Sequence, residues 1–184
     1  MTEEKIALKT ARTAELDDAR RAEIVQVCVD AHKSEDFYDL FSFLPQDGLH
    51  ILGYVDDQLA GHAVVTTRWL QPENHRLVQT AYVDAVSTKT EFQGRGVGSA
   101  VMRFLAKVIT DTTDYEIACL ETERVTFYER LGWQEWAGSL AGRDGDNLIP
   151  TPDQTGVMIL RIPDTPVFSL NCLLTIEASP ARIW

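Results

Sequence analysis

Between residues 91 and 102 the chain reads EFQGRGVGSAVM. Gly94, Gly96 and Gly98 alternate with other residues, and an apolar run of helical spacing follows. Glycines let a backbone approach a ligand closely, and the exposed N–H groups at a helix start attract negative charge. The chemistry open to this stretch is therefore to hold phosphate. A Gly-x-x-x-x-Gly-Lys-Ser/Thr triphosphate loop is excluded, because no lysine directly follows Gly98. A dinucleotide fingerprint needs Gly-x-Gly-x-x-Gly in a first strand-helix-strand unit. Here the spacing is two and two, and several strand-like segments precede it. What remains is a Gln-x-x-Gly-x-Gly loop written by Gln93, Gly96 and Gly98, or a tight strand-to-helix turn without a ligand.

The elements that must position this loop belong to a chain of 184 residues, enough for one domain over 1–184 with a sizeable core. Hydrophobic residues make up 45%, which fits a globular fold. No apolar run approaches the roughly 20 residues of a membrane span. The start, MTEEKIALKT, lacks a secretory pattern, and Cys28, Cys119 and Cys172 are too few for a disulfide framework. A cytoplasmic location is expected. The 28 acidic and 17 basic residues give a net charge of −11, which argues against nucleic acid and suits a cationic ligand. His32, His50, His62 and His75 lack metal-ligand spacing and are expected on the surface or in strands, so no metal is expected. Trp69, Trp133 and Trp136 are expected mainly to pack.

Hydrophobic periodicity places a strand at 6–10 and a helix over 17–31, with Ala22, Val25 and Val29 on one face and Ile24 and Cys28 offset. A short helix over 34–41 has Ser34 as its N-cap. Strands follow at 49–55 and 58–68, joined by an Asp56-Asp57 turn, and at 77–87. After the glycine loop a helix covers 98–109, with Val97, Val101, Leu105 and Val108 on one face. A strand at 115–120 leads to a helix that runs from its cap Thr122 to Leu131, with Gly132 as its stop. A strand starts at 133–137, a long loop covers 138–156, and strands follow at 157–162 and 169–176. The order describes an α+β (α/β) domain with a central mixed sheet flanked by helices.

The Gln93–Gly98 loop, between a strand and a helix, resembles the pyrophosphate loop of the GNAT superfamily of acetyl-coenzyme A-dependent N-acetyltransferases. So does Phe127-Tyr128-Glu129-Arg130-Leu131-Gly132-Trp133. The resemblance implies the GNAT acyl-CoA N-acyltransferase fold, with acetyl-CoA or coenzyme A as co-substrate. It implies that Gln93, Gly94, Arg95, Gly96, Val97, Gly98 and Ser99 hold the diphosphate. The backbones of Val86 and Thr88, on a splayed strand, would bind the acetyl carbonyl and pantetheine, and the Tyr128 hydroxyl would protonate the leaving thiolate.

From Leu49 onward the chain is further similar to the aminoglycoside 2'-N-acetyltransferases. The residues concerned are Tyr82-Val83-Asp84-Ala85-Val86, the run Tyr128 to Gly138 with Trp133 and Trp136, Thr151-Pro152-Asp153-Gln154-Thr155-Gly156, and the closing Trp184. This implies a polycationic amine as acceptor and antibiotic resistance as outcome. Asp84 would reach the amine through water, with Glu121 as the other candidate base. Asp36, Asp39, Asp84, Glu121, Asp153 and the Trp184 carboxylate would meet its ammonium groups. The family also implies a homodimer. Three positions depart from it: Arg182 and Gln154 where acidic residues are usual, and Glu121 in place of a serine. They leave acetyl transfer intact and open the choice of acceptor to a polyamine, a peptide N-terminus or another small amine. The rival classes are a non-catalytic acyl-CoA or antibiotic-binding module and, more distantly, a nicotinamide-dependent enzyme.

Overall fold

The computed structural model describes residues 5–179 and 182–184. Among these residues ten strands, β1 to β10, and four α-helices, α1 to α4, fall in two compact units, residues 5–66 with 83–108 and residues 67–82 with 109–179 and 182–184. Two long strands, β3 (Gln58–Pro72) and β4 (Val78–Thr88), run through both. Among the described residues no helix is long and apolar enough to cross a membrane.

In the first unit β1 (Ile6–Arg12) pairs antiparallel with β2 (Leu49–Val55), which pairs antiparallel with β3. Asp56 and Asp57 have φ of 47° and 62°, the left-handed pair of a two-residue hairpin, and short carboxylate side chains tolerate that conformation. Helix α1 (Asp18–His32) starts where the Asp17 carboxylate accepts a hydrogen bond from the Arg20 N–H at 2.8 Å. Its buried face is Ile24, Val27 and Cys28; Ala22 is exposed and Val25 and Val29 only half-buried, so the expected stripe is rotated. Ser34 caps as expected, but the segment it opens is a 3-10 turn (Glu35–Asp39) followed by one turn of helix, α2 (Leu40–Phe43). Helix α3 (Val97–Thr112) begins one residue before the expected start. Leu16, Ile24, Val27, Cys28, Leu52 and Val64 anchor this unit's core.

In the second unit the strand path is β6-β9-β5-β4-β3-β10-β7-β8. Strand β5 (Ile117–Glu121) is parallel to β4 and antiparallel to β9 (Val157–Arg161), which pairs with the two-residue β6 (Gln134–Glu135). Strand β10 (Leu174–Glu177) is antiparallel to β3 and parallel to β7 (Leu140–Asp144), so the sheet is mixed. Four expectations fail here. The 138–156 loop contains β7 and β8 (Asn147–Pro150), joined at Gly145-Asp146, with Gly145 at φ 57°. Strand β8 has only four residues, all exposed, with Leu148 and Ile149 adjacent rather than alternating, so it carries no two-residue period to read. The last strand begins at Leu174 rather than 169, and the strand after Trp133 is only Gln134–Glu135. Helix α4 (Val125–Glu129) is also shorter than expected: the Thr122 hydroxyl accepts from the Arg124 N–H at 2.9 Å, three residues ahead of the first bonded turn, and caps the approach instead. Trp136, Leu140, Phe168, Ile176 and Trp184 pack in this unit's core.

Candidate active site

The first unit carries the loop. β4 does not run straight to its end: Ala85 has φ 49°, a left-handed residue inside a strand. For alanine that conformation costs roughly 1–2 kcal/mol and survives only where neighbours hold it. The neighbours are at hand. The His62 ring nitrogen Nδ1 lies 3.0 Å from the Ala85 carbonyl oxygen, and the Ser87 hydroxyl donates to the same oxygen at 3.1 Å. His32 Nε2 sits 3.2 Å from the Val86 carbonyl oxygen and 3.0 Å from Ser87 Oγ. Asp84, Ala85 and Val86 are half-buried, between the buried Val83 and Ser87.

After Thr88 the chain makes a 3-10 turn, Thr90–Phe92. The Gln93 side-chain amide donates to the Thr88 carbonyl at 3.1 Å, tying the loop back to the strand end. Gly94 and Gly96 have φ of 74° and 85°, and a Cβ on either would meet nothing within 4 Å. Backbone conformation demands glycine here, and the side facing away from the protein is open. The Ala100 N–H is bonded to the Gly96 carbonyl at 2.9 Å, so the N–H groups of Gly96, Val97, Gly98 and Ser99 precede the first partner the helix can offer. Gly94 to Gly96 are exposed, and the Arg95 guanidinium lies 4.8 Å over the Phe92 ring. An anion with several oxygens fits such an amide-lined opening.

The acid-bearing segment of this unit is fastened to the same strand end. Phe37 stacks on His32 at 4.7 Å, and His32 reaches Val86. Asp36 and Asp39 are exposed; Asp36 exchanges hydrogen bonds with Ser34, its N–H donating at 3.2 Å and its carboxylate accepting at 3.0 Å.

In the second unit Tyr128 is 6% exposed and packs edge-on to Phe127 at 4.9 Å and Trp133 at 5.9 Å. Burial pushes its phenol up to about 12, against the opposing Arg124 charge. Among the described residues its hydroxyl has no hydrogen-bond partner within the chain. Glu121, exposed, ends β5 opposite Val157. Gly156 presses against this strand end, where a Cβ would stand 1.9 Å from the Thr122 carbonyl oxygen. Asp153 is exposed in the preceding turn. The Trp184 indole is 4% exposed and donates to Thr151 Oγ1 at 3.1 Å, so its ring is a core group. The Arg182 guanidinium lies 5.2 Å over the Tyr82 ring, as does that of Arg68 at 4.8 Å.

The sequence reading missed His50 and His62 as anything but strand residues; both are fully buried. The register would have revealed them. His50 pairs with Val64 and His62 with Leu52, which makes the two histidines diagonal neighbours on one face of the hairpin.

Residues 46–135 match the model of the acetyltransferase (GNAT) domain. Over 162 residues the chain is 28% identical to an aminoglycoside 2'-N-acetyltransferase of Mycolicibacterium fortuitum, covering 84% of this chain and 80% of that protein. Its fold is similar to that of the GNAT family N-acetyltransferase YhbS of Escherichia coli, solved in complex with CoA, at a TM-score of 0.66 and 12% identity over 95% of this chain and 91% of that one. It is also similar to a GCN5-related N-acetyltransferase from Kribbella flavida, at a TM-score of 0.57 and 18% identity over 72% of this chain. There the chain spans 34% of the other's length. The strand broken at its end, the left-handed glycine loop and the open helix start all lie within residues 46–135, the span that matches the acetyltransferase (GNAT) domain.

Proposed function

We propose that the protein is an acetyl-CoA-dependent N-acetyltransferase whose acceptor is a polycationic aminoglycoside, acetylated at its 2' amine. The observation that carries the reaction class is the opening at the start of α3, where the N–H groups of Gly96 to Ser99 and the exposed Gly94–Gly96 loop suit a diphosphate. Acetyl-CoA would supply the thioester. The amine nitrogen attacks its carbonyl carbon, the C–S bond breaks, sulfur departs as a thiolate, and the proton lost by the amine passes through water to a carboxylate and on to solvent.

This chain's residues then have assigned tasks. The Val86 N–H, beyond the break at Ala85, donates to the thioester carbonyl as negative charge grows on its oxygen. Asp84 or Glu121 takes the amine proton through water. Tyr128 donates to the departing sulfur. At about 12 its phenol stays protonated at neutral pH, while a free thiol ionises near 8.5. Tyr128 is thus suited to hydrogen-bond the thiolate rather than to surrender its proton completely. Asp36, Asp39 and Asp153 supply carboxylates for the remaining ammonium groups. The acceptor class is supported by the aminoglycoside-acetylating relative and by the net charge of −11. Gln154 and Glu121, where the family differs, favour a second reading in which the acceptor is a polyamine or other small amine. Coenzyme A release measured with an aminoglycoside panel and with spermidine separates the two: release with spermidine alone would remove the aminoglycoside reading.

A further inference from the structure

Buried in the first unit are two histidines that the proposed chemistry does not use. Their hydrogens can be placed by elimination. Two groups face His62 Nδ1: the Ala85 carbonyl oxygen at 3.0 Å, which can only accept, and Cys28 Sγ at 3.7 Å, a weak donor or acceptor; the shorter contact puts a hydrogen on Nδ1. A neutral imidazole then has only Nε2 left as acceptor, and His50 Nδ1, 2.9 Å from it, must donate. His50 Nε2 is left to accept from the Thr13 hydroxyl at 3.0 Å. That hydroxyl has one hydrogen; the Gly48 carbonyl, 3.3 Å away, is already served by the Thr13 N–H at 2.9 Å. The outer end is anchored by Arg21, which donates to the Thr13 carbonyl at 2.9 Å. Burial holds His50 down to about 4 and His62 down to about 3, so both rings are neutral at physiological pH.

We infer that the hydrogen-bond chain Thr13–His50–His62–Ala85 positions the peptide between Ala85 and Val86, and so aims the Val86 N–H. The carbonyl of Ala85 and the N–H of Val86 lie in one planar peptide unit and point in opposite directions. Gripping the oxygen therefore sets the direction of the hydrogen. Ser87 and His32 secure the same turn of backbone from Ala85 O and Val86 O. A left-handed alanine inside a strand needs such support, and the buried chain supplies it from three separate elements. Thr13, His50 and His62 are positioning residues; the benefit to catalysis rests on the reading above, in which the Val86 N–H meets the acetyl carbonyl.

The test has one arm that needs no ligand. Imidazole nitrogen-15 spectra of the intact protein at pH 7 should show both His50 and His62 as Nδ1–H tautomers. In His62→Phe the Val86 amide should change its chemical shift and exchange faster with solvent. His62→Asn, whose amide N–H can replace Nδ1, should restore it. Should His62→Phe fail to fold, Thr13→Val keeps both rings and should move the His50 signals and the Val86 amide. In the second arm, His62→Phe should weaken acetyl-CoA about ten-fold, the worth of one hydrogen bond, with free coenzyme A changed by less than about two-fold. A general packing defect would weaken both alike. An Nε2–H tautomer at either histidine, or a Val86 amide indifferent to the substitutions, overturns the inference. A wild-type protein that binds no acetyl-CoA removes the functional reading alone, and the tautomers and the Val86 amide still decide the positioning claim.

Discussion

At the scale of single residues Tyr128 bears the most specific of the proposed roles. Its position was legible from the Phe127-Tyr128 pair and Gly132, but its environment was not. Only the folded chain shows a phenol 6% exposed, packed edge-on to two aromatic rings, with its hydroxyl left without a partner among the described residues. Removing that hydroxyl opens a space of one atom and breaks no internal hydrogen bond. Tyr128→Phe should therefore fold and melt like the parent, bind coenzyme A unchanged, and lose about 100-fold or more in kcat. A thiol-release assay checks the rate and calorimetry the binding; an unchanged kcat would leave Tyr128 a packing residue. At Trp184 the expectation concerned the chain-end carboxylate; what the fold adds is the place of the ring, in the core with its indole N–H on Thr151. Arg182, which charge alone would set against an ammonium, lies over the Tyr82 ring.

At the scale of elements, the sequence spoke clearly where local chemistry dictates backbone. Asp56-Asp57 announced the β2–β3 hairpin, Asp17 the start of α1, and the glycines the entry to α3. Gly96 is the point where the loop and helix meet. Its φ of 85° makes Gly96→Ala costly by roughly 1–2 kcal/mol, although a methyl there meets nothing. Thermal melting should show a fall of several degrees, and calorimetry a weaker affinity for coenzyme A. A variant that melts and binds like the parent would contradict this use of the loop. What could not be read was any feature that depends on pairing across the sheet. The Ala85 break, the all-exposed β8 and the His50–His62 pair are written in register, and no local window of sequence contains it. The histidine pair also has a pH signature. Free histidine titrates near 6.5, whereas folding holds these two at about 4 and about 3. Between those values the unfolded chain binds protons that the folded chain refuses, so their contribution to stability is complete above about pH 6.5. It is lost as pH falls toward 4 and then 3. Urea unfolding at pH 7.5, 6 and 5 should give a midpoint that declines with pH. In a double variant, His50→Gln with His62→Asn, this part of the decline should disappear.

At the scale of the whole molecule the informative quantity is charge. A net −11 attracts a polycation and repels the anionic coenzyme, and both effects are screened by salt. Raising ionic strength should raise the KM for the aminoglycoside several-fold while leaving the KM for acetyl-CoA unchanged or lower; a salt-independent acceptor KM would show that local contacts alone bind it. Composition announced this field without saying what it serves, because many acidic proteins are acidic only for solubility. The fold class was likewise legible from element order, and the mixed sheet agrees with it. The central claim is that the protein moves an acetyl group from coenzyme A to an aminoglycoside amine. The most direct measurement incubates it with acetyl-CoA and an aminoglycoside bearing a free 2' amine, beside a congener with a hydroxyl at that position, and follows coenzyme A release together with product NMR. The account requires release and a 2'-N-acetyl product with the first and neither with the second. No release with either, or acetylation at another position of both, would contradict it.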